Sequence, residues 1–113
     1  METYHEIKET AYVLILAGSL DGYNVGEIDH ILKRAIKSRK KNILIDCRNL
    51  TYISTSGIGI FLSNLPELKE KSIALIFFGM KLNVRKVFNF MGLDAILTIQ
   101  DGLPEELLDV THG

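Results

Sequence analysis

An α/β fold with a mixed, mostly parallel sheet is predicted by three features of this sequence. Short apolar runs with β-branched members recur at Tyr12–Ala17, Ile43–Ile45 and Ile73–Phe78. The segments between them repeat their apolar residues with a helical period. Gly18, Asp46 and Gly79 punctuate the ends of the runs. Strands that alternate with helices imply right-handed crossovers between parallel neighbours. Strands apolar on both faces further predict helices on both sides of the sheet.

The elements follow in order. Tyr4–Lys8 alternates and predicts an edge strand, paired antiparallel with Tyr12–Ala17 through a turn at Glu9-Thr10. Gly18 to Gly22 breaks the pattern. Asn24 is placed to cap a helix with its side chain, with Glu27 as the capping-box acid. That helix carries Ile28, Ile31, Leu32, Ala35 and Ile36 on one face, and Lys33, Arg34 and Lys37 on the other. Ile43-Leu44-Ile45 is a strand ending at Asp46. A second helix presents Ile58, Phe61, Leu62, Leu65 and Leu68, with Pro66 kinking it or opening a final turn. After the strand Ile73–Phe78, a third helix carries Leu82, Val84, Val87, Phe88 and Met91 and closes at Gly92. Ile96–Ile99 is a short last strand. Pro104, Glu105 and Glu106 open a terminal helix bearing Leu107 and Leu108. The sum is β-β-α-β-α-β-α-β-α: an N-terminal hairpin, a mostly parallel sheet and four helices, within one domain over residues 1–113.

Composition narrows the function. The 113 residues have a formal net charge of −1, and no Lys/Arg stripe suits a phosphate backbone, so no nucleic-acid partner is expected. The dense basic segment Lys37-Ser38-Arg39-Lys40-Lys41 reads as a helix end and turn, where cations suit the dipole. The lone Cys47 points to a reducing compartment and a packing role. The N-terminus is polar, and no apolar stretch could span a bilayer, so a cytoplasmic protein with no membrane partner is expected. No helix shows a second apolar stripe, and a monomer is expected. No cofactor or metal is expected, and the chain is not read as an enzyme. Gly57-Ile58-Gly59 is not a dinucleotide fingerprint, since position 62 is Leu; P-loop and nucleophile-elbow motifs are absent. His5, His30 and His112 are widely separated and read as surface residues.

Function in open α/β sheets gathers at the carboxyl ends of strands. The richest such segment here runs from Asp46 to Gly59, where Ser54, Thr55 and Ser56 stand just before a helix. Two readings stand side by side. One hydroxyl caps the helix while the glycines permit close packing, or the segment is a phosphorylation switch at a helix N-terminus that tolerates the added charge. Asp46 is expected to hold the backbone of this serine-rich turn.

Several segments together resemble the STAS domain of bacterial anti-sigma-factor antagonists. Gly18-Ser19-Leu20-Asp21 is similar to that family's G-x-L-D turn. Ile43–Asp46 followed by Ser54-Thr55-Ser56-Gly57-Ile58-Gly59 resembles its strand, Asp, and D-S-[ST]-G-[LI]-G pattern. Val84–Phe88 with Met91-Gly92-Leu93-Asp94 resembles its third helix and G-L-D. The resemblance implies a STAS fold and a partner switch with Ser56 as phospho-acceptor, Thr55 and Ser54 being secondary candidates. It implies an anti-sigma factor that is also a serine kinase of the histidine-kinase-like ATPase fold, and a PP2C-type phosphatase. The unphosphorylated form would bind the kinase and release the sigma factor. Asp21, Asn24, Asp46, Ser54, Thr55, Ser56, Gly57, Ile58 and Gly59 are the expected partner-binding residues. Ser54 departs from the motif, which usually begins with Asp. That departure keeps open a STAS module that binds without phosphorylation. The strand-end crevices of the fold leave a further alternative, a sensor of a small ligand or nucleotide, although the sequence has no phosphate-cradling motif.

Overall fold

The computed structural model describes residues 2–108, with the side chain of Leu108 and all of Met1 and residues 109–113 outside the description. His112, expected at the surface, and the Leu108 side chain, expected on the terminal helix, therefore lie outside the described residues. The elements are β1 (Glu2–Ile7), β2 (Ala11–Leu20), α1 (Val25–Lys37), β3 (Asn42–Ile53), α2 (Thr55–Glu70), β4 (Ala74–Phe78), α3 (Leu82–Phe90), a 3-10 turn (Leu93–Ala95), β5 (Thr98–Gln100) and α4 (Glu105–Leu108).

The five strands form one sheet in the order β1-β2-β3-β4-β5. β1 and β2 pair antiparallel, with Ile7 opposite Tyr12, and every later pair is parallel. The strand order never reverses. Right-handed crossovers that always step the same way place every connecting helix on the same face. Accordingly α1, α2 and α3 bury Ile28, Leu32, Phe61, Leu68, Val84 and Phe88 in one core with Leu14, Ile45 and Phe77. Helices therefore lie on both faces but unevenly: three cover one face, and the short α4 packs on the other. The second face has a small cluster of Ala11, Val13, Leu44 and Phe78, against which Leu107 of α4 packs.

Two strands are longer than their sequence pattern indicates. β2 runs on through Gly18, whose φ of 99° takes up an irregularity in the ladder with β3. β3 does not end at Asp46 but continues to Ile53, pairing Leu50 with Gly18 and Tyr52 with Ser19. Register shifts in this stretch interrupt the alternation that would mark a strand. Pro66 does not break α2, which is continuous around it. It lies on the exposed side, where water can meet the carbonyl that a proline leaves without an N–H.

A buried polar network joins α1 to α2. Asn64 is 1% exposed. It donates to Asp29 Oδ1 at 2.9 Å and to the Ile60 carbonyl at 2.6 Å, and accepts from Lys33 Nζ at 2.7 Å. A satisfied buried network fixes the relative position of the helices more sharply than apolar contact alone. No helix among the described residues is long and apolar enough to cross a membrane.

Candidate functional site

The site grows from the place where β2 and β3 end side by side. The Ser54 N–H donates to the Leu20 carbonyl at 2.9 Å, which extends the pairing of the two strands by one bond. Ser54 then leaves the strand with φ −89° and ψ 170°, and its Oγ accepts the Gly57 N–H at 3.1 Å. It is the N-cap of α2, and the Ile58 N–H closes the first turn on its carbonyl. A hydroxyl does here what a carboxylate would do at the same position, without the charge.

Gly57 is required by packing. A Cβ there would stand 2.8 Å from Leu20 Cγ, 3.0 Å from Ile53 Cγ1 and 3.1 Å from the Leu20 carbonyl oxygen. Its absence lets α2 start directly against the ends of β2 and β3. Gly59 is different: a Cβ would meet nothing within 4 Å. Thr55 and Ser56, in the first turn, are exposed, and that turn holds no acidic residue. Because Ser54 supplies the cap, Ser56 is not needed for it. Its hydroxyl stands in solvent near the positive end of the α2 dipole.

The β2–α1 loop lies against this turn through the Leu20 contacts. Asn24 occupies the N-cap position of α1 but makes no side-chain cap bond, which corrects the expectation. Its φ of −113° and ψ of 0° keep the side chain from the first-turn amides. Instead Oδ1 accepts the Asp21 N–H at 2.9 Å and Nδ2 donates to the Ser19 carbonyl at 2.7 Å. Asp21 Oδ1 accepts the Tyr23 N–H at 2.9 Å. Asp21 and Asn24 therefore shape the loop, and Tyr23 at its tip is fully exposed. From the other side, Asn83 at the start of α3 donates to the Thr51 carbonyl at 2.8 Å. That bond ties the start of α3 to the end of β3, and Leu82 and Tyr52, each beside one of the bonded residues in sequence, are both exposed. Tyr23, Tyr52 and Leu82 escaped sequence reasoning, since nothing in a sequence marks which apolar residues stay outside.

Three expected partner residues are placed differently. Asp46 is 3% exposed and points to the face opposite the three helices. It sits roughly 26 Å of strand before Ser54, and pairs with Arg48 rather than holding the serine turn. Its Oδ1 accepts the Arg48 N–H and Nε–H at 3.0 Å each, and Oδ2 accepts from Nη2 at 2.8 Å. These bonds raise the Arg48 pKa above its ordinary value. Asp46 and Arg48 line a cavity of about 220 Å³ with Glu6, Lys8, Leu103 and Leu107. Gly57 and Ile58 are buried, so they support the surface and do not form it. Cys47, on the helix side of β3, is 1% exposed. Burial, and then the neighbouring Asp46 carboxylate, push its thiol up to about 12. It is a packing residue, as expected. Among the described residues no group of His, Cys, Asp and Glu could hold a metal ion.

The geometry defines a class: a small α/β domain in which loop tips and one helix N-terminus meet at the ends of two parallel strands. Residues 3–106 match the family model for the STAS domain, and the chain belongs to that family. It is 24% identical over 95 residues to the anti-sigma-B factor antagonist of Staphylococcus aureus, covering 84% of this chain and 88% of that one. The solved structure of the anti-sigma factor antagonist SpoIIAA in its unphosphorylated form superposes with a TM-score of 0.74 at 25% identity, over 99% of both chains. The phosphorylated form of the Bacillus cell fate determinant SpoIIAA gives 0.74 at 27% identity, over 97% of this chain and 99% of that one.

Proposed function

We propose that this protein is an anti-sigma-factor antagonist whose partner surface is switched by phosphorylation of Ser56. The observation that carries the reading is the division of labour in one turn. Ser54 caps α2 and Gly57 seats it, which leaves the Ser56 hydroxyl exposed and uncommitted. A kinase can reach it, and the helix dipole tolerates the product. In the transfer, Ser56 Oγ bonds to the γ-phosphorus of ATP, ADP departs, and the hydroxyl proton passes to a base on the kinase. Hydrolysis by a PP2C-type phosphatase restores the hydroxyl with release of phosphate.

The partner is an anti-sigma factor that is itself a serine kinase of the histidine-kinase-like ATPase fold. Its contact surface comprises Thr55, Ser56 and Gly59 of α2, the loop Asp21–Asn24 with Tyr23, and Tyr52 and Leu82 at the rim. Unphosphorylated protein binds this partner and frees the sigma factor. A phosphate of about −2 charges inside that contact would have to be desolvated, so phosphorylation breaks the complex. Incubation with the cognate kinase and ATP, followed by phosphosite mapping, tests the acceptor. Label at Ser56 that disappears in Ser56→Ala is expected; undiminished label in that variant overturns the assignment.

A second reading rests on Ser54, a neutral residue where the motif has an acid. In it the same surface binds its partner without modification, and Ser56 is a contact residue only. Stoichiometric phosphate on protein isolated from its own cells would exclude it.

A further inference from the structure

The far end of the sheet carries a second feature that the switch does not use. The α1–β3 and α2–β4 turns, just before β3 and β4, enclose a cavity of about 330 Å³ lined by Arg39, Lys40, Lys41, Lys71, Ser72 and Ile73. The turns are tied together by the Ala74 N–H, which donates to the Lys41 carbonyl at 2.9 Å. Four cations around one hollow contrast with a net charge of −1 for the whole chain.

Helix ends attract cations, and that accounts for part of the cluster. Lys71 pairs with Glu67 at 3.0 Å, and Lys40 Nζ donates to the Glu9 carbonyl at 3.1 Å. Arg39 and Lys41 are not explained in this way. Neither forms an ion pair among the described residues. The backbone supplies a second, independent observation. Arg39 (φ 61°) and Ser72 (φ 56°) are the non-glycine residues with positive φ among those described, and both line this cavity. Each follows a helix end, where glycine is the ordinary occupant because a side chain costs on the order of 1 kcal/mol in that conformation. At both turns the chain instead keeps a residue with a polar side chain, an arginine and a serine, and both residues line one hollow.

We infer that this cavity binds a compact polyvalent phosphate anion, of pyrophosphate to tripolyphosphate size. Its volume is at the small end of ligand pockets. Guanidinium and ammonium groups with a hydroxyl are the donors such an anion needs. Ile73 is the one apolar wall, so no side chain is placed to stack on a base. The recognised chemistry is the phosphate chain, whether free or as the tail of a nucleotide. The cavity and Ser56 lie at opposite ends of β3, so occupancy does not obstruct the partner surface.

The test is an amide NMR titration of the full chain with sodium tripolyphosphate, against sodium chloride at matched ionic strength. Saturable shifts at residues 39–41 and 71–73 are expected with tripolyphosphate and not with chloride. Arg39→Gly removes a cation while relaxing the backbone. It should weaken binding about tenfold, the loss of one charge-assisted contact, with the thermal midpoint equal to or above wild type. Lys86→Ala, on the exposed side of α3, and Ser56→Asp should bind as wild type. ATP and tripolyphosphate should bind within about threefold of each other, given the absence of stacking. Shifts scattered over the surface lysines, wild-type affinity in Arg39→Gly, or binding confined to ATP would each overturn the proposal.

Discussion

Replacing Gly57 with alanine should destabilise the protein, whereas the same change at Gly59, two residues along the same helix, should not. At position 57 the new methyl would lie 2.8 Å from Leu20 Cγ and 3.0 Å from Ile53 Cγ1. Those are buried side chains, and protein interiors are close-packed. It would also lie 3.1 Å from the Leu20 carbonyl oxygen, which accepts the Ser54 N–H at 2.9 Å. Relief therefore requires α2 to shift outward and lengthen that bond. Overpacking of this kind costs about 1–3 kcal/mol, and alanine returns at most ~1 kcal/mol in helix propensity. At full return the net loss is about 0–2 kcal/mol. At position 59 no atom stands within 4 Å of the methyl, so only the propensity gain remains. The propensity gain is common to both, so the two variants should differ by the overpacking cost of roughly 1–3 kcal/mol, on the order of 1 M in the urea midpoint for a domain of this size. Equilibrium unfolding in urea reads this directly. Gly57→Ala as stable as Gly59→Ala would refute the close seating of α2 on the strand ends.

Three other outcomes follow from the same structure. Ser54→Ala should lose about 1 kcal/mol of unfolding free energy with the cap bond, and Ser54→Asp should keep it; the latter restores the motif acid and should raise the rate of phosphorylation, read by a kinase time course. Asn64→Ala should cost about 2–3 kcal/mol in denaturant, since it opens a cavity and strips partners from Asp29 and Lys33. Cys47 has a folded pKa of about 12 against an ordinary 9.0. Below pH 9 the thiol is protonated in both states and contributes no pH dependence. Between those values the unfolded chain releases the proton first, so stability should fall with a slope approaching ~1.4 kcal/mol per pH unit. Cys47→Ala should flatten that window in pH-dependent urea melts.

The layout of the fold was legible because α1, α2 and α3 each bury apolar residues spaced at a helical period and each central strand contains a short apolar run. The Ser54 to Gly59 turn was legible as a capped helix start, and Gly92 as a helix terminator; its φ is 71°. Other features depend on information that is not local. That β3 continues beyond Asp46 follows from pairing with β2 across irregular register, which Arg48, Asn49 and Thr51 give no sign of by alternation. The orientation of Asp46 away from the helices depends on that continuation. The one-sided placement of α1, α2 and α3 depends on strand order. Asn24 satisfies the residue preference of an N-cap, yet its loop recruits it to Asp21 and Ser19. The exposure of Tyr23, Tyr52 and Leu82 is a property of the assembled strand ends, and hydropathy alone would have buried them.

The affinity of the protein for the kinase-type anti-sigma factor proposed as its partner, measured with Ser56 free and with Ser56 phosphorylated, tests the central claim most directly. A buried charge left without a partner costs about 3–5 kcal/mol, so phosphorylation should weaken the complex by at least ~100-fold. Ser56→Asp should weaken it in the same direction. Equal dissociation constants for the free and phosphorylated forms would contradict the switch and leave Ser56 as an ordinary surface residue of the helix start.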